Sequence, residues 1–588
     1  MCGLNGILRL TDAAPPLDRE EVLRTRDAMA SRGPDGAGAW FSEDGRIGLG
    51  HRRLAILDLS SAGAQPMASE DGRLRIVLNG EIYNFRELKR ELEAEGHAFR
   101  SQSDTEVLLA LYARDGAAML PHLRGMFALA IWDDAAKTLL LARDPLGVKP
   151  LYYAGEGGTL RFASQVKALE KGGGISLATD PAGLAGFLLW GAVPEPWTIR
   201  RAVRALPAGT FLLVDDGQVP EPTSFHGFEP AADPLSPAQA VEDSVAAHLV
   251  SDVPVAVFLS AGLDSGLIAA LARRHLPEPP VTFTLCFDVL AGTPLDEAPL
   301  AAEVARTLGT RHVERRVGRE DFAALWPEAL AAMDQPSIDG FNTFVVSRAA
   351  REAGLKVVLS GLGGDEVFGS YPSFVDVPRG ARLTRRTGWL PGASPAWAGI
   401  ARRFAPERPK LAGLLRHGGS LAGSYFLRRG LFLPEELPAV MGREAAAEGL
   451  RRYDPVADAA RALNGHGADG WLAVHTMETA LYMRNQLLRD SDWASMASSV
   501  ELRVPLADAR LTSHLAAAGF EPARSGGKAA FVRSVAPELP AALFDRPKTG
   551  FFIPVVEWMR PEAAGQSRGA QSRWLARRVL EETGVFAR

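Results

Sequence analysis

Cysteine is nearly absent from this chain: among 588 residues only Cys2 and Cys286 occur. Two thiols cannot build a disulfide framework, and their scarcity fits a reducing cytosol, so a cytoplasmic location is expected. Long apolar runs are missing too, and no basic segment followed by an apolar one opens the chain. Neither a membrane partner nor a secretory signal is therefore expected. An excess of positive charge is also lacking, since 65 Lys and Arg stand against 70 Asp and Glu, a net charge of −5. That balance argues against nucleic acid as the main partner. At this length the chain should form at least two domains, each with an ample core.

What is present is organised around Val255-Ala256-Val257-Phe258-Leu259-Ser260-Ala261-Gly262-Leu263-Asp264-Ser265-Gly266. The apolar run from Val255 to Leu259 reads as a buried strand. Small residues break it, and a helix is expected from Ser265 through Arg274, anchored by Leu267, Ile268 and Leu271. No Gly-Lys-Ser/Thr follows, which excludes the lysine-bearing phosphate loop, and the dinucleotide Gly-x-Gly-x-x-Gly spacing is missing. A strand, a small-residue turn and a helix start still offer unpaired backbone N–H groups and a positive dipole end to an anion. Ser260 and Ser265 add hydroxyls for phosphate oxygens, and Asp264 adds a carboxylate suited to Mg²⁺. The plainer reading is a buried strand with a small-residue turn. The stretch resembles the pyrophosphate loop of ATP pyrophosphatases, which make acyl-adenylates.

The N-terminus reads Met1-Cys2-Gly3-Leu4-Asn5-Gly6-Ile7. A small second residue permits removal of the initiator Met, leaving Cys2 with both a thiol and a free α-amine. That amine, with an intrinsic pKa near ~8, can take the thiol proton at neutral pH without a separate histidine. Three later segments carry complementary chemistry. The run from His51 to Asp58 reads as a strand bearing Arg53, a guanidinium able to clamp an α-carboxylate. The run Leu78-Asn79-Gly80-Glu81-Ile82-Tyr83-Asn84 closes a strand Leu74–Leu78 and leads into a helix Phe85–Ala94. There the Asn79 side chain and the Gly80 backbone can donate to a tetrahedral oxyanion. Asp104, just before a helix Glu106–Arg114, is placed to hold an α-ammonium group. Singly, these residues read equally well as a surface charge, a hairpin turn and a helix cap.

Taken with Arg32-Gly33-Pro34-Asp35, Gly125-Met126-Phe127-Ala128 and the run from Ala142 to Tyr153, these segments resemble the class II glutamine amidotransferases. The resemblance implies an N-terminal-nucleophile fold over residues 2–218: a four-layer αββα arrangement with two antiparallel sheets between helices. It also implies Cys2 as the nucleophile and Asn79 and Gly80 as the oxyanion hole. Arg53 and Asp104 would clamp glutamine, with Ile56 and Glu81 completing its pocket.

Residues 219–236, rich in proline and without a periodic pattern, read as a linker. Beyond them strands alternate with helices: Val281–Phe287, a helix Asp296–Leu308 with Asp296 as its cap, then Lys356–Ser360. That alternation calls for a parallel α/β sheet with ligands at the carboxyl ends of its strands. Cys286 falls mid-strand and reads as core. After Gly361-Leu362-Gly363-Gly364, Asp365 and Glu366 sit on a flexible turn that could complete a Mg²⁺ site opposite Asp264. From Pro378 to about Gly470 the spacing is helical and silent on chemistry. Lys528 and the run Arg546-Pro547-Lys548-Thr549-Gly550-Phe551 then supply cations, and a lysine beside a pyrophosphate leaving group stabilises its developing charge.

In this order, and along nearly the whole chain, these elements resemble the asparagine synthetase family, in the branch that carries Leu-Gly-Gly-Asp-Glu. The resemblance implies an ATP-pyrophosphatase domain over 237–588 with a helical C-terminal part, joined to the glutaminase by an internal ammonia channel. Ser260, Gly262, Asp264 and Ser265 would hold the pyrophosphate of ATP. Phe258, Leu285, Ser360 and Gly361 would line the nucleoside, Asp264 and Asp365 would hold Mg²⁺, and Lys528 would assist pyrophosphate release. ATP with Mg²⁺ is thus implied, with no organic prosthetic group, and a homodimer is compatible with the family. The implied reaction activates the aspartate side-chain carboxylate as an acyl-adenylate, which ammonia from glutamine converts to the amide. Two departures bear on the acceptor: Leu362 stands where the family's well-studied members carry Glu, and Asp339 where they carry an Arg associated with aspartate. Losing a cation and gaining an anion disfavours a dianionic acceptor, unless Arg348 or Arg489 reaches the site. Glutamine-dependent asparagine synthesis is the leading reading. The same machinery acting on another carboxylate, of a secondary metabolite, a peptide or a sugar acid, is the alternative. A non-catalytic scaffold is opposed by the intact set Cys2, Arg53, Asn79, Asp104, Asp264 and Asp365.

Overall fold

A computed structural model describes residues 2–385 apart from 216, 228 and 229, and then 393–404, 409–463, 470–522, 526–546, 558–559 and 567–585. Of the expected cations, Pro547 to Phe551 with Lys548 lie outside these residues.

The first half holds two six-stranded antiparallel sheets. In one, Gly3–Arg9 lies between Ile47–Arg53 and Thr159–Ala163. In the other, Leu74–Ile82 pairs with Gly125–Asp133, which pairs with Thr138–Arg143. Strand side chains alternate between faces. Leu4, Leu8, Leu49 and Phe162 therefore meet Val77, Ala130, Trp132 and Leu141 in a dry layer between the sheets. The outer faces take helices: Arg19–Asp27 and Val166–Gly172 over the first sheet, Phe85–Ala94 and Asp104–Asp115 over the second. The result is the expected four-layer αββα arrangement.

Two local expectations are corrected. The strand begun at Leu74 does not stop at Leu78 but runs to Ile82, because Asn79, Gly80 and Glu81 stay in register with Ala128, Phe127 and Met126. Conversely, the strand through His51 ends at Arg53, where pairing with Gly36 and Gly3–Arg9 runs out. The Pro-rich stretch is not wholly irregular, since Thr223–Ser224 adds a short edge strand beside Thr210–Val214.

The second half is built on a five-stranded sheet in which every neighbour pair is parallel. Its order is Arg311–Val317, Val281–Phe287, Val255–Phe258, Val357–Leu359, Glu501–Arg503. Val255, Val257 and Leu359 face one apolar cluster, while Ala256, Val358 and Phe283 face another, so both sides are covered. The helix after the first strand spans Leu263–His275, two residues earlier than its apolar anchors imply, because Gly262 already takes the flanking position. The next helix begins at Ala298, with the Asp296 carboxylate accepting from its amide at 3.1 Å. The chain leaves the central strand Val255–Phe258 toward one edge and returns to its other side with Val357–Leu359. That reversal opens a crevice at the carboxyl ends of these two strands. The halves share a core, since Leu54, Ile56, Tyr83, Met126 and Leu146 pack with Val257, Leu359 and Val504.

Candidate functional site

Two centres emerge, one in each half. In the first, Cys2 opens the strand Gly3–Arg9 and is only 7% exposed. Its nitrogen donates to Asn79 Oδ1 at 3.1 Å. The Asn79 amide group reaches Ser164 Oγ at 3.4 Å, and the same hydroxyl accepts the Leu4 N–H at 3.1 Å. Burial raises the thiol's pKa, against the pull of the nearby amino terminus, so at rest Cys2 holds its proton. His51, the imidazole closest in sequence to this centre, is kept neutral by burial, at about 4, and its Nε2 lies 3.0 Å from the Leu78 carbonyl. Gly80 has φ +150, and a Cβ there would meet the Met126 carbonyl oxygen at 2.0 Å. Only glycine fits where this strand bends past its partner.

Arg53 follows directly on this strand pair. Its guanidinium donates to the carbonyls of Ser60 at 2.8 Å and of Asp58. Gly63 leaves the space it occupies. Asp104, buried, accepts the Ile82 N–H at 2.9 Å, and burial pushes its carboxyl up to about 6. The cap of its helix is Ser103 rather than Asp104. Glu81 is buried too; burial and the charges of Glu501 and Asp104 raise its pKa strongly. Ile56 is buried in the shared core, and its carbonyl accepts the Asp252 N–H at 3.0 Å. Cys2, Asn79, Arg53, Glu81 and Asp104 thus converge around one end of the sandwich.

In the second centre, Ser260 and Ser265 lock the turn after Phe258, with hydroxyl oxygens 2.9 Å apart and the Gly262 N–H on Ser260 Oγ at 3.2 Å. Asp264 stands in the first turn of the following helix. Across the crevice, Asp365 begins the short helix Gly364–Val367. Lys528, from helix Gly527–Val535, joins them: its Nζ lies 2.5 Å from Asp264 Oδ2 and 3.0 Å from Asp365 Oδ1. Burial would lower this lysine's pKa, but the two carboxylates outweigh it and keep the ammonium charged. The Ser360 N–H donates to the Arg503 carbonyl at 2.9 Å, and its hydroxyl accepts the Leu362 N–H at 3.3 Å. Phe258 and Leu285 lie on the apolar face beside the crevice.

Two carboxylates gathered round one cation, at a helix start rich in hydroxyls, fit the oxygen-donor chemistry of Mg²⁺ with phosphate. Among the described residues no group of three or more His, Cys, Asp or Glu could hold a metal ion. Sequence reasoning missed Gly364: a Cβ there would meet Asp264 Cγ at 2.4 Å, and at Gly361 one would meet Asp264 Cβ at 2.9 Å. Both glycines exist so that the two loops can close on Asp264. The signal was the Gly361-Leu362-Gly363-Gly364 run itself.

A second missed residue is Arg32, fully buried between the centres. Its Nε donates to the Cys2 carbonyl at 3.0 Å, and its two terminal nitrogens reach Asp492 at 2.7 and 3.1 Å. Lys149 Nζ lies 3.9 Å from the same carboxylate. Nearby, Arg503 donates to Glu501 at 2.6 Å, and both are buried. Burial alone would raise Glu501; the amino terminus, Arg503 and Lys149 hold it down at about 2.

Arg348 and Arg489 are the two cations considered for the acceptor. Arg348 pairs with Glu328 and lies over Phe344. Arg489 Nη1 donates to the Val193 carbonyl at 2.7 Å.

The structure is thus a four-layer sandwich with a buried thiol at its first strand, joined to a parallel sheet with a carboxylate-lined crevice. The glutamine amidotransferase domain family matches residues 1–226, and the asparagine synthase family matches residues 237–584. Among curated proteins, asparagine synthetase [glutamine-hydrolyzing] 1 of Bacillus subtilis is 30% identical, covering 96% of this chain and 88% of its own length. Asparagine synthetase B of Escherichia coli is 32% identical, covering 66% of this chain and 68% of its own. A protein named amidase chry2, of Gibberella zeae, is 28% identical over 84% of this chain and 78% of its own. The chain belongs to the asparagine synthase family.

Proposed function

We propose that the chain is a glutamine-dependent carbon–nitrogen ligase, with a glutaminase over 2–218, a linker over 219–236 and a synthetase over 237–588. Family membership and the Lys528–Asp264–Asp365 cluster at the loop after Phe258 carry this reading. In the first centre, Cys2 Sγ attacks the side-chain carbonyl carbon of glutamine while its own α-amine, freed by loss of Met1, takes the thiol proton. The Asn79 amide group and the Gly80 N–H stabilise the tetrahedral oxyanion. Ammonia leaves, and water hydrolyses the thioester to glutamate. Arg53 and Asp104 hold the substrate's α-carboxylate and α-ammonium.

In the second centre, ATP lays its pyrophosphate on the helix start at Gly262 to Ser265. An acceptor carboxylate oxygen attacks the α-phosphorus, and pyrophosphate departs with the bonding electrons, its charge met by Lys528. Asp264 and Asp365 would hold Mg²⁺, which would supply charge neutralisation to the phosphates. Ammonia then attacks the acyl carbon, AMP leaves and a proton is lost, giving the amide. Aspartate is the acceptor the family brings. A second reading, another carboxylate, is favoured by Asp339 and Leu362, neither of which offers a cation to a dianion.

The test is Cys2→Ala. Glutamine hydrolysis should vanish while ammonia-dependent AMP formation continues, since only one of the two chemistries needs a thiol. Equal loss of both would sink the two-centre reading.

A further inference from the structure

A cavity of about 1850 Å³ adjoins the synthetase centre. Tyr371 donates to Glu366 Oε1 at 3.0 Å, beside Asp365, and its ring packs on Tyr482 with centroids 5.8 Å apart. Arg429 lies over both rings, at 4.3 and 3.8 Å, and Tyr482 and Arg429 line the cavity. The inner wall is an eleven-residue π-helix, Glu478–Leu488, which brings Tyr482, Asn485 and Gln486 to the space. Wide helical turns of this kind are rare and concentrate at functional sites. Residues 190–194 of the first half and the helix Arg568–Glu582 close other sides.

The volume exceeds what a free amino acid needs, since sites for drug-sized ligands run to roughly 300–1,000 Å³. Its surface is aromatic, through Trp190, Trp326, Phe341, Tyr425, Tyr482 and Trp493. Its cations are largely neutralised: Arg428 pairs with Asp376, Arg429 with Glu478 and Arg573 with Glu436. Asp339 is the exception of opposite sign. It lines the cavity, accepts the Gly340 N–H at 2.8 Å, and pairs with no Lys or Arg among the described residues. A second carboxylate, Asp490, is raised to about 7, by burial first and in part by the charge of Asp339. A carboxylate without a Lys or Arg partner is complemented by a cation on the ligand.

We propose that this cavity receives an acceptor far larger than aspartate: a peptide-sized carboxylic acid bearing an amino group that pairs with Asp339. The proposal rests on the synthetase reading above, in which the acceptor carboxylate meets ATP at the Asp264–Asp365 crevice. The aromatic wall takes the acceptor's body. Lys410, which also lines the cavity, donates to the Arg428 carbonyl at 3.2 Å and offers a cation to a second acid group.

The experiment uses the full chain with glutamine, ATP and Mg²⁺, and offers as acceptors either aspartate or a tryptic digest of casein. AMP is assayed, and amidated peptides are identified by mass. The digest is also offered after acetylation of its amines, to wild type and to Asp339→Asn. Expected are amidated peptides from the unmodified digest, used at least roughly tenfold more efficiently than aspartate. Acetylation should cost wild type roughly tenfold or more and leave Asp339→Asn nearly indifferent. AMP formation with aspartate but no amidated peptide would overturn this proposal alone, as would equal use of aspartate and peptides or an unchanged rate after acetylation. No AMP with any acid, beside intact glutaminase activity, would overturn both this proposal and the parent reading.

Discussion

Replacing Arg32 by Met tests whether the two centres are held in register by one buried ion pair. The guanidinium is wholly buried, Asp492 is 3% exposed, and two N–O contacts of 2.7 and 3.1 Å join them across the boundary between the halves. Breaking such a pair from one side leaves an uncompensated buried charge, at ~3–5 kcal/mol. Here Lys149 remains 3.9 Å from Asp492, which places the loss at the lower end, ~3 kcal/mol, or roughly a hundredfold in the equilibrium that keeps the interface closed. Arg32→Met should lower the thermal midpoint and raise the ratio of glutamate to AMP formed, as ammonia escapes between loosened halves. The double change Arg32→Met with Asp492→Asn removes the stranded charge and should recover most of the stability. An unchanged midpoint and product ratio in Arg32→Met, or a double variant as unstable as the single one, would refute this account.

Three further outcomes are expected. Asp104 must be ionised to hold an ammonium, and burial pushes its carboxyl up to about 6, so below that pH kcat/KM for glutamine should fall by about a further tenfold per unit, beyond the loss from protonation of the Cys2 amine. In Asp104→Asn the residual rate should lose this dependence; a profile unchanged from wild type would remove Asp104 from the clamp. Asp264→Asn and Asp365→Asn should each cut AMP formation by ~10²-fold while glutaminase activity measured alone persists. Normal pyrophosphate release in Asp365→Asn would withdraw its role. Leu362→Glu combined with Asp339→Arg should raise aspartate-dependent AMP formation above wild type, and fast wild-type turnover of aspartate would show that no such repair is needed.

The parts of the fold that were legible in sequence are those where burial writes a continuous signal. Val281–Phe287 is β-branched or apolar throughout and buried on both faces of the parallel sheet, Thr282 and Thr284 included, and its bounds were read correctly. The strand through Asn79, Gly80 and Glu81 was cut short because three polar or small residues interrupt the pattern. Yet all three are buried, held by pairing with Met126, Phe127 and Ala128, a partnership that only tertiary structure reveals. Arg32 shows the same limit for sites. An Arg-Gly-Pro-Asp run marks the position, but its partner lies 460 residues away, and local spacing carries no trace of that pairing.

The segment that seemed silent is where the reading of the acceptor changes. From Pro378 onward the sequence offers only helical spacing, because its chemistry lies in the shape it encloses. Gly380, Ser424, Tyr425, Arg428 and Arg429 from this segment help to wall the large cavity. Glu478, fully buried, binds Ser373, Tyr425 and Arg429 and so anchors that wall to the π-helix. Truncating Glu478 would free Arg429 from its acid while leaving Asp264, Asp365 and Lys528 untouched. The wall can therefore diverge independently of the ATP crevice, because the crevice is fixed by the parallel sheet and two glycines while the wall is fixed by helices packed on one another. A change of acceptor that kept the activation chemistry would need that separation, and in this chain Asp339 belongs to the lining of the cavity.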